Sequence, residues 1–439
     1  MSVVKYSIGP NTSDHKTGTP TCTISAGVMT FSTAQTNAML VAGDRVTYDT
    51  SKICYLFSKV GGSLTQWNVV TATGAAPSNE ASPVTVDSIA HEYTSLGAAE
   101  AGAADANHLN TQDLVTATTE LRLVCASTAD TSATVTFDSG WITSAAYRIY
   151  VYSPTNTRTE CNARHFPYPM KWDASMYTLT SSNLEAITNN VAFITFHHLQ
   201  IHVSNVTSYG CEGIYCSTGS TGPGWEIHHC IIRGTPTATQ DNHYATDSRS
   251  TTGTGTMKIW NNLVYDFRRS DSIFHYDLAF NQSGTAATVT IYCFNNTVHN
   301  CHMFSSSRST GTPADANFHL KNNLSQDIVG GAADWEFDYQ YYNPASNYQC
   351  ATGAYSPLGG GGGNDQLSAS TSFMDEANDD FHLAYGDTTA RGNGTDLSSD
   401  GNCPVVDDGD SIPRPSVSAF DIGALQFNIL KPRLRMEGE

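Results

Sequence analysis

One short stretch, Trp260-Asn261-Asn262-Leu263, recurs in related form along the middle of the chain. Four other segments can be laid over it in register: Phe196-His197-His198-Leu199, His228-His229-Cys230-Ile231, Phe294-Asn295-Asn296-Thr297 and Lys321-Asn322-Asn323-Leu324. Their last residues are 32, 32, 34 and 27 positions apart. Most follow a strand pattern in which apolar and polar residues alternate. A repeat of this length is typical of a solenoid whose coils each hold about three short strands.

The asparagine pair suits the bend between two strands of such a coil. A sharp bend needs a left-handed residue, and Asn tolerates that conformation better than β-branched residues do. Its amide is both donor and acceptor, so asparagines of equal register can bond from coil to coil. We therefore predict a structural ladder with one residue per coil, formed by His198, Cys230, Asn262, Asn296 and Asn323.

Two histidine pairs take the place of the asparagines in the earlier coils. His197-His198 and His228-His229 fall at the ladder register, where imidazoles can stack and hydrogen-bond as amides do. A metal site is the alternative, because neighbouring coils would bring the two pairs together. We favour the structural role and expect no metal there.

The chain divides into four parts by composition and pattern. Residues 1–90 are predicted to be a β-rich attachment domain or extra coils, and residues 91–180 a capping helix followed by the first coils. Residues 181–357 hold the repeats and form the predicted core with its Asn/His ladder. Residues 358–439 contain a Gly-rich loop, closing coils around Asp380-Phe381-His382-Leu383 and Phe420-Asp421-Ile422-Gly423-Ala424-Leu425, and a basic tail.

Two of these segments resemble known proteins. The closing segments resemble the last coils of the pectate-lyase-like β-helix superfamily, although Leu425 stands where an aromatic residue is usual. The stretch His91-Glu92-Tyr93-Thr94-Ser95-Leu96 is similar to the start of β-helix proteins encoded by phages and prophages, where it precedes a capping helix. The expected fold is all-β: a single-stranded right-handed parallel β-helix with a small N-terminal β-rich domain and a short capping helix.

Charge, hydrophobic pattern and cysteine count limit the classes of function that the sequence supports. Charged residues make up 14% of the chain and the net charge is −19, so binding to nucleic acid is not expected. The N-terminus lacks a signal-peptide pattern, and no apolar run is long enough to cross a membrane. Eleven cysteines leave at least one thiol unpaired. We expect Cys230 and Cys293 to be buried thiols, while Cys211 and Cys216 are close enough in sequence to pair.

Enzymes on this fold carry recognisable motifs, and this sequence lacks them. Gly-His-Gly, Arg-Ile-Lys and Trp-Ile-Asp-His are all absent. The remaining candidates for glycan cleavage are loop residues that stacked coils would bring together, with a structural loop cluster as the simpler explanation. These catalytic candidates are Asp241, His243, Arg268, Asp271, His275 and Asp277.

Two further patterns point to ligands. Four aromatic residues alternate with polar ones and could stack on sugar rings, although a strand with one buried face gives the same pattern. These glycan-binding candidates are Trp335, Phe337, Tyr339 and Tyr341. The run Asp407-Asp408-Gly409-Asp410 leaves calcium open as a ligand, with a solvated turn as the simpler explanation; no other cofactor is expected.

Three functions compete. The favoured one is a virion structural protein, a capsid decoration or a tail spike or fibre component, made in the host cytoplasm without a signal peptide and released by lysis. Its expected partners are other capsid or tail proteins, host surface polysaccharide and further copies of itself, a trimer being one arrangement. The alternatives are a polysaccharide lyase or glycoside hydrolase, and a surface adhesin or filament subunit.

Overall fold

The fold is taken from a computed structural model of the chain. It describes residues 1–9, 13–126, 129–132, 134–182, 185–204, 211–217, 224–235, 243–248, 255–267, 278–283, 289–301, 303–308, 316–326, 350–351, 366, 370–415 and 419–427. Backbone alone is described at 211, 243, 278–279, 281–283, 303–308, 316–318 and 350–351. Most of the regular structure in these residues is β-strand and the helices are short, which confirms the predicted all-β class.

Three parallel sheets organise the chain. Sheet 1 is built, in spatial order, from β1 (Ser2–Ile8), β8 (Thr119–Cys125), β10 (Ile149–Tyr152), β13 (Ile194–His197), β16 (Trp225–His228), β19 (Gly255–Trp260), β22 (Val289–Phe294) and β25 (Ala316–Lys321). Sheet 2 contains β11 (Thr178–Ser181), β14 (Gln200–Val203), β17 (Ile231–Gly234), β20 (Leu263–Tyr265), β23 (Thr297–His299), β26 (Leu324–Gln326) and β27 (Cys350–Ala351). Sheet 3 contains β9 (Val135–Phe137), β12 (Glu185–Asn189), β15 (Cys211–Cys216), β18 (His243–Ser248), β21 (Leu278–Ser283) and β24 (Met303–Arg308).

From β10 to β26 the chain visits sheets 1, 2 and 3 in turn and then returns to sheet 1. We call each such circuit a pass. Successive passes pair in register, so apolar residues of equal position form rows in the interior. One such row follows sheet 1 through five successive strands and is buried throughout: Phe196, Ile227, Ile259, Cys293 and Leu320.

The N-terminal region combines one strand of sheet 1 with a separate β-barrel. Strand β1 belongs to sheet 1, where Ser2 pairs with Thr119 and Ile8 with Cys125. A closed antiparallel barrel follows it, formed by β2 (Thr21–Ser25), β3 (Val28–Phe31), β4 (Arg45–Tyr48), β5 (Lys52–Lys59), β6 (Gln66–Val70) and β7 (Glu80–Ala90). The barrel has its own core around Trp67. Residues 1–90 are therefore one strand of the long sheet followed by an inserted barrel.

A short helix packs over the first strands of sheets 1 and 3. Helix α1 (Leu96–Gly102) begins after Ser95, whose hydroxyl accepts the backbone N–H of Ala98 at 3.2 Å. Leu96 and Ala99 are buried in the same core as the strands of the passes. A second short helix, α2 (Leu114–Ala117), leads into β8. The structure therefore has a helix in the segment predicted to cap the coils, although it is shorter than residues 91–104.

The C-terminal segment, defined here as residues 371–415 and 419–427, does not continue the three sheets as the predicted closing coils would. Its strands β28 (Phe373–Asp375) and β29 (Asp380–Leu383) pair with each other in an antiparallel hairpin, separated by a 3-10 turn at Glu376–Asn378. The rest of the segment packs on earlier passes: the backbone N–H of Gly423, for example, donates to Asn322 O at 2.7 Å. The segment therefore covers passes that precede it instead of adding new ones.

Candidate functional site

In the passes that begin with β13, β16, β19, β22 and β25, only two residues connect sheet 1 to sheet 2, and we call this bend the corner. The first of the two residues is left-handed in all five corners, with φ between 52° and 55°. These residues form the outer corner row: His198, His229, Asn261, Asn295 and Asn322. The second residues form the inner corner row: Leu199, Cys230, Asn262, Asn296 and Asn323.

The predicted register needs a correction in its first coil. His197 pairs with His228 in sheet 1, and Gln200 pairs with Ile231 in sheet 2. His198 is therefore an outer-row residue, and Leu199 takes the ladder position predicted for His198. The misplacement arose because Phe196-His197-His198 contains no asparagine to mark the corner.

The three inner-row asparagines bond to one another. Asn262 Nδ2 donates to Asn296 Oδ1 at 3.0 Å, and Asn296 Nδ2 donates to Asn323 Oδ1 at 3.1 Å. Each oxygen also accepts a backbone N–H from the pass before it, at 3.1 Å from Asn262 and 3.0 Å from Asn296. The row extends to Cys230, whose backbone N–H donates to Asn262 Oδ1 at 3.0 Å. All three asparagine side chains are buried.

The last residues of the sheet 1 strands form an aromatic column beside the corner. Tyr152, His197, His228 and Trp260 come from four successive passes, with ring centroids 4.7, 4.9 and 4.1 Å apart. Their planes lie within 13° of parallel at each step. Within each histidine pair the two Nδ1 atoms are 2.9 and 2.8 Å apart, so one ring donates its proton to the other.

This packing keeps the imidazoles of His197, His198 and His228 uncharged. Burial lowers the pKa of His197 to about 3, and the proximity of His229 adds to the effect. Burial likewise holds the pKa of His198 and of His228 well below the ordinary value. Neutral, stacked and mutually bonded rings have the properties of packing groups, and a general base working near pH 7 needs a pKa close to that pH.

The C-terminal segment covers the corner rows. Ser411 Oγ lies 3.0 Å from His198 Nε2, and Asp407 Oδ1 lies 3.3 Å from His229 Nε2. The buried guanidinium of Arg414 donates to four backbone carbonyls of its own segment and reaches Asn261 Oδ1 at 3.4 Å. The contacts to His198, His229 and Asn261 join the segment to three different passes.

A second histidine cluster holds the C-terminal hairpin in place. His382 Nδ1 lies 2.6 Å from Asp380 Oδ1, and His382 Nε2 lies 3.0 Å from Asp410 Oδ2. Asp410 also accepts the backbone N–H of Met170. All three side chains of the cluster are buried, so it joins β29, the turn at residues 408–411 and the segment before β11.

A third cluster lies where the barrel meets β1, and sequence patterns did not reveal it. Its carboxylate, Asp44, lies 2.9 Å from His15 Nε2 and 2.8 Å from His91 Nδ1. The backbone N–H of Val41 donates to Asp44 Oδ2 at 2.9 Å. These neighbours hold the pKa of Asp44 far below its ordinary value despite burial, so the carboxylate is charged. We call His15, Asp44 and His91 the junction cluster.

The predicted catalytic and glycan-binding candidates fall mostly outside the described residues. His243 begins β18, where its backbone pairs with Cys211. The candidates that lie outside are Asp241, Arg268, Asp271, His275, Asp277, Trp335, Phe337, Tyr339 and Tyr341.

The acidic run at residues 407–410 forms a hydrogen-bonded turn. Asp408 Oδ1 accepts the backbone N–H of Asp410 at 3.0 Å and of Ile412 at 2.9 Å, and Asp408 Oδ2 accepts that of Gln426. Asp407 faces the corner, as described above. The carboxylates that suggested calcium are thus engaged in joining the C-terminal segment to itself and to the passes.

Every cysteine whose side chain is described is a buried free thiol. Cys230 and Cys293 lie inside the passes, as predicted for small apolar groups. Cys216 is also free, which contradicts the alternative that it pairs with Cys211. Burial raises the pKa of the Cys216 and Cys230 thiols to about 12, so neither is a reactive thiolate.

Comparison of the chain with protein-family models, with curated proteins and with solved structures finds no match. Within the described ranges, no helix is both long and apolar enough to span a membrane.

Proposed function

We propose that this chain is a structural component of a bacteriophage particle, a head decoration or a tail spike or fibre part, built on a right-handed parallel β-helix. The winding is supported by three parallel sheets visited in a fixed order. The hand is supported by a general rule, because crossovers between parallel strands of one sheet are right-handed in nearly all proteins. An eight-stranded sheet 1 would make the stack about 34 Å long at the usual strand spacing.

The observation that carries the proposal is the use of polar side chains in the corner rows. Asparagines, histidines and Trp260 bond or stack from pass to pass, and the C-terminal segment covers them. An enzyme on such a scaffold would keep titratable groups accessible in a groove. Here the described histidines of the passes serve cohesion, which suits a particle exposed to the environment.

The assignment to a phage rests on two supports. One is the resemblance of residues 91–96 to phage β-helix proteins, strengthened by Ser95 capping a helix that packs on the core. The other is a sparsely charged, acidic composition. In such a particle the partners are other capsid or tail proteins, further copies of the chain and host surface polysaccharide.

Mass spectrometry of purified particles tests the proposal. Particles would be prepared from the cells whose DNA encodes the chain, and the chain quantified against known capsid proteins of the same particles. We expect it in the particle fraction; a copy number near that of the capsid subunits indicates the head, and a small number indicates the tail. A chain found only in the soluble fraction of the lysate contradicts the proposal.

A further inference from the structure

The junction cluster brings together the ligand types that zinc prefers. Imidazole nitrogen and carboxylate oxygen suit borderline divalent cations such as Zn²⁺. One ligand atom from each of the three residues can be chosen so that all lie within 4.8 Å of one another. Tetrahedral zinc ligands are separated by about 3.3 Å, so the 2.8 and 2.9 Å contacts to Asp44 need to open by about half an ångström.

The cluster is buried away from solvent. His15, Asp44 and His91 are at most 3% exposed, and a carboxylate in such a place needs hydrogen-bond donors or a cation beside it. A metal cation bound by both imidazoles and the carboxylate meets this need. Lys5 and Lys59, both buried near the barrel, bond to Glu160 and to the carbonyls of Thr157 and Cys161 and not to Asp44.

The fixed orientation of the His91 ring is the second observation. His91 Nδ1 lies 2.8 Å from Asp44 Oδ1, and Nε2, on the other side of the ring, has no hydrogen-bond partner among the described residues. Gly9 holds the ring in place, since a Cβ there would lie 2.6 Å from His91 Cδ2. The ring therefore keeps Nδ1 directed at Asp44.

We propose that His15, Asp44 and His91 bind one divalent cation of the zinc class. The three residues come from the segment before β2, the segment before β4 and the residue after β7. Beside them, Ser7 N–H donates to Gly43 O at 3.1 Å and Gly9 N–H donates to Tyr93 O at 2.9 Å. A cation would thus join the barrel to the first strand of sheet 1. This site is independent of the virion role.

Metal analysis of the full chain tests the site. The protein would be produced without a histidine tag in zinc-supplemented medium, desalted, and its metal content measured by mass spectrometry. We expect one zinc per chain in the wild type and background content in Asp44→Asn. The matched control is His382→Gln, which removes a buried histidine with the same kind of carboxylate partners and should keep the zinc.

A second measurement does not depend on the variants folding. Wild-type protein stripped by a chelator would be titrated with Co²⁺, and we expect visible absorption bands that saturate at one equivalent and disappear on addition of Zn²⁺. The melting temperature should rise with Zn²⁺ concentration. A wild type without zinc, cobalt bands or a thermal shift overturns the proposal. So does zinc that persists in a folded Asp44→Asn variant.

Discussion

Truncation of Asn296 should reduce the free energy of unfolding more than truncation of any other residue in the inner corner row. Its Oδ1 accepts from the backbone and the side chain of Asn262, and its Nδ2 donates to Ile259 O at 3.0 Å and to Asn323 Oδ1. In Asn296→Ala the buried backbone N–H of Asn262 and the carbonyl of Ile259 each lose this partner. Each unsatisfied buried group destabilises the fold by about 1 to 3 kcal/mol. With two such groups, we expect the free energy of unfolding of Asn296→Ala to fall by about 3 to 5 kcal/mol.

The isosteric change Asn296→Asp keeps the shape of the side chain and removes its N–H donors. A carboxylate still accepts from Asn262 but cannot donate to Ile259 O, and it faces Asn323 Oδ1 as a second acceptor. We expect a loss at least as large as for alanine. Asn378→Ala is the control, because Asn378 is an exposed side chain bonded to Asp375, and its loss should stay within about 0.5 kcal/mol.

Urea denaturation followed by tryptophan fluorescence and circular dichroism measures these free energies of unfolding. Both Asn296 variants should unfold at clearly lower urea than the wild type and the Asn378→Ala control. If Asn296→Ala and Asn296→Asp both unfold within about 0.5 kcal/mol of the wild type, the ladder does not hold the passes together.

Three further predictions follow from the corner and its cover. Because the folded-state pKa of His197 is about 3 against an ordinary 6.5, its contribution to stability is complete above pH 6.5 and is lost as the pH falls toward 3. Lowering the pH from 7 to 5 should therefore reduce the free energy of unfolding by about 1 to 2 kcal/mol through this residue. The urea midpoint of His197→Phe should fall less between these pH values than that of the wild type, and an equal fall in both proteins would contradict this. Cys230→Asn should extend the ladder by one amide and change the free energy of unfolding by less than about 1 kcal/mol. Cys230→Leu overpacks the same position and should reduce the free energy of unfolding by about 1 to 3 kcal/mol. Equal losses in the two variants would show that the inner corner row does not favour an amide. Arg414→Met leaves several buried carbonyls without a donor, so we expect a loss of about 3 kcal/mol and faster proteolysis of the C-terminal segment, and an unchanged digestion rate would count against its role.

The strands and corners in the middle of the chain were predictable because their sequence pattern repeats at a near-constant interval. Asparagine pairs at near-constant spacing mark the corners, and alternating strands precede them. The same signal misplaced the first coil, where histidines replace the asparagines and nothing fixes the register to within one residue. A one-residue slip is enough to move His198 from the outer row to the inner one.

Contacts between distant segments were not predictable. Strand β1 pairs with residues more than a hundred positions away, so its membership of sheet 1 leaves no local pattern. The C-terminal segment carries a motif that resembles a closing coil, yet its polar side chains bind corners of earlier passes. The junction cluster joins three residues with no regular spacing, and only the barrel brings them together.

Cryo-electron microscopy of the purified particle tests the proposed fold and the proposed location together. We expect a projecting or surface-bound density in which parallel strands, about 4.8 Å apart, wind as a right-handed helix with a small barrel at one end. A particle map in which this chain is absent, or in which its strands form separate antiparallel hairpins, would contradict it.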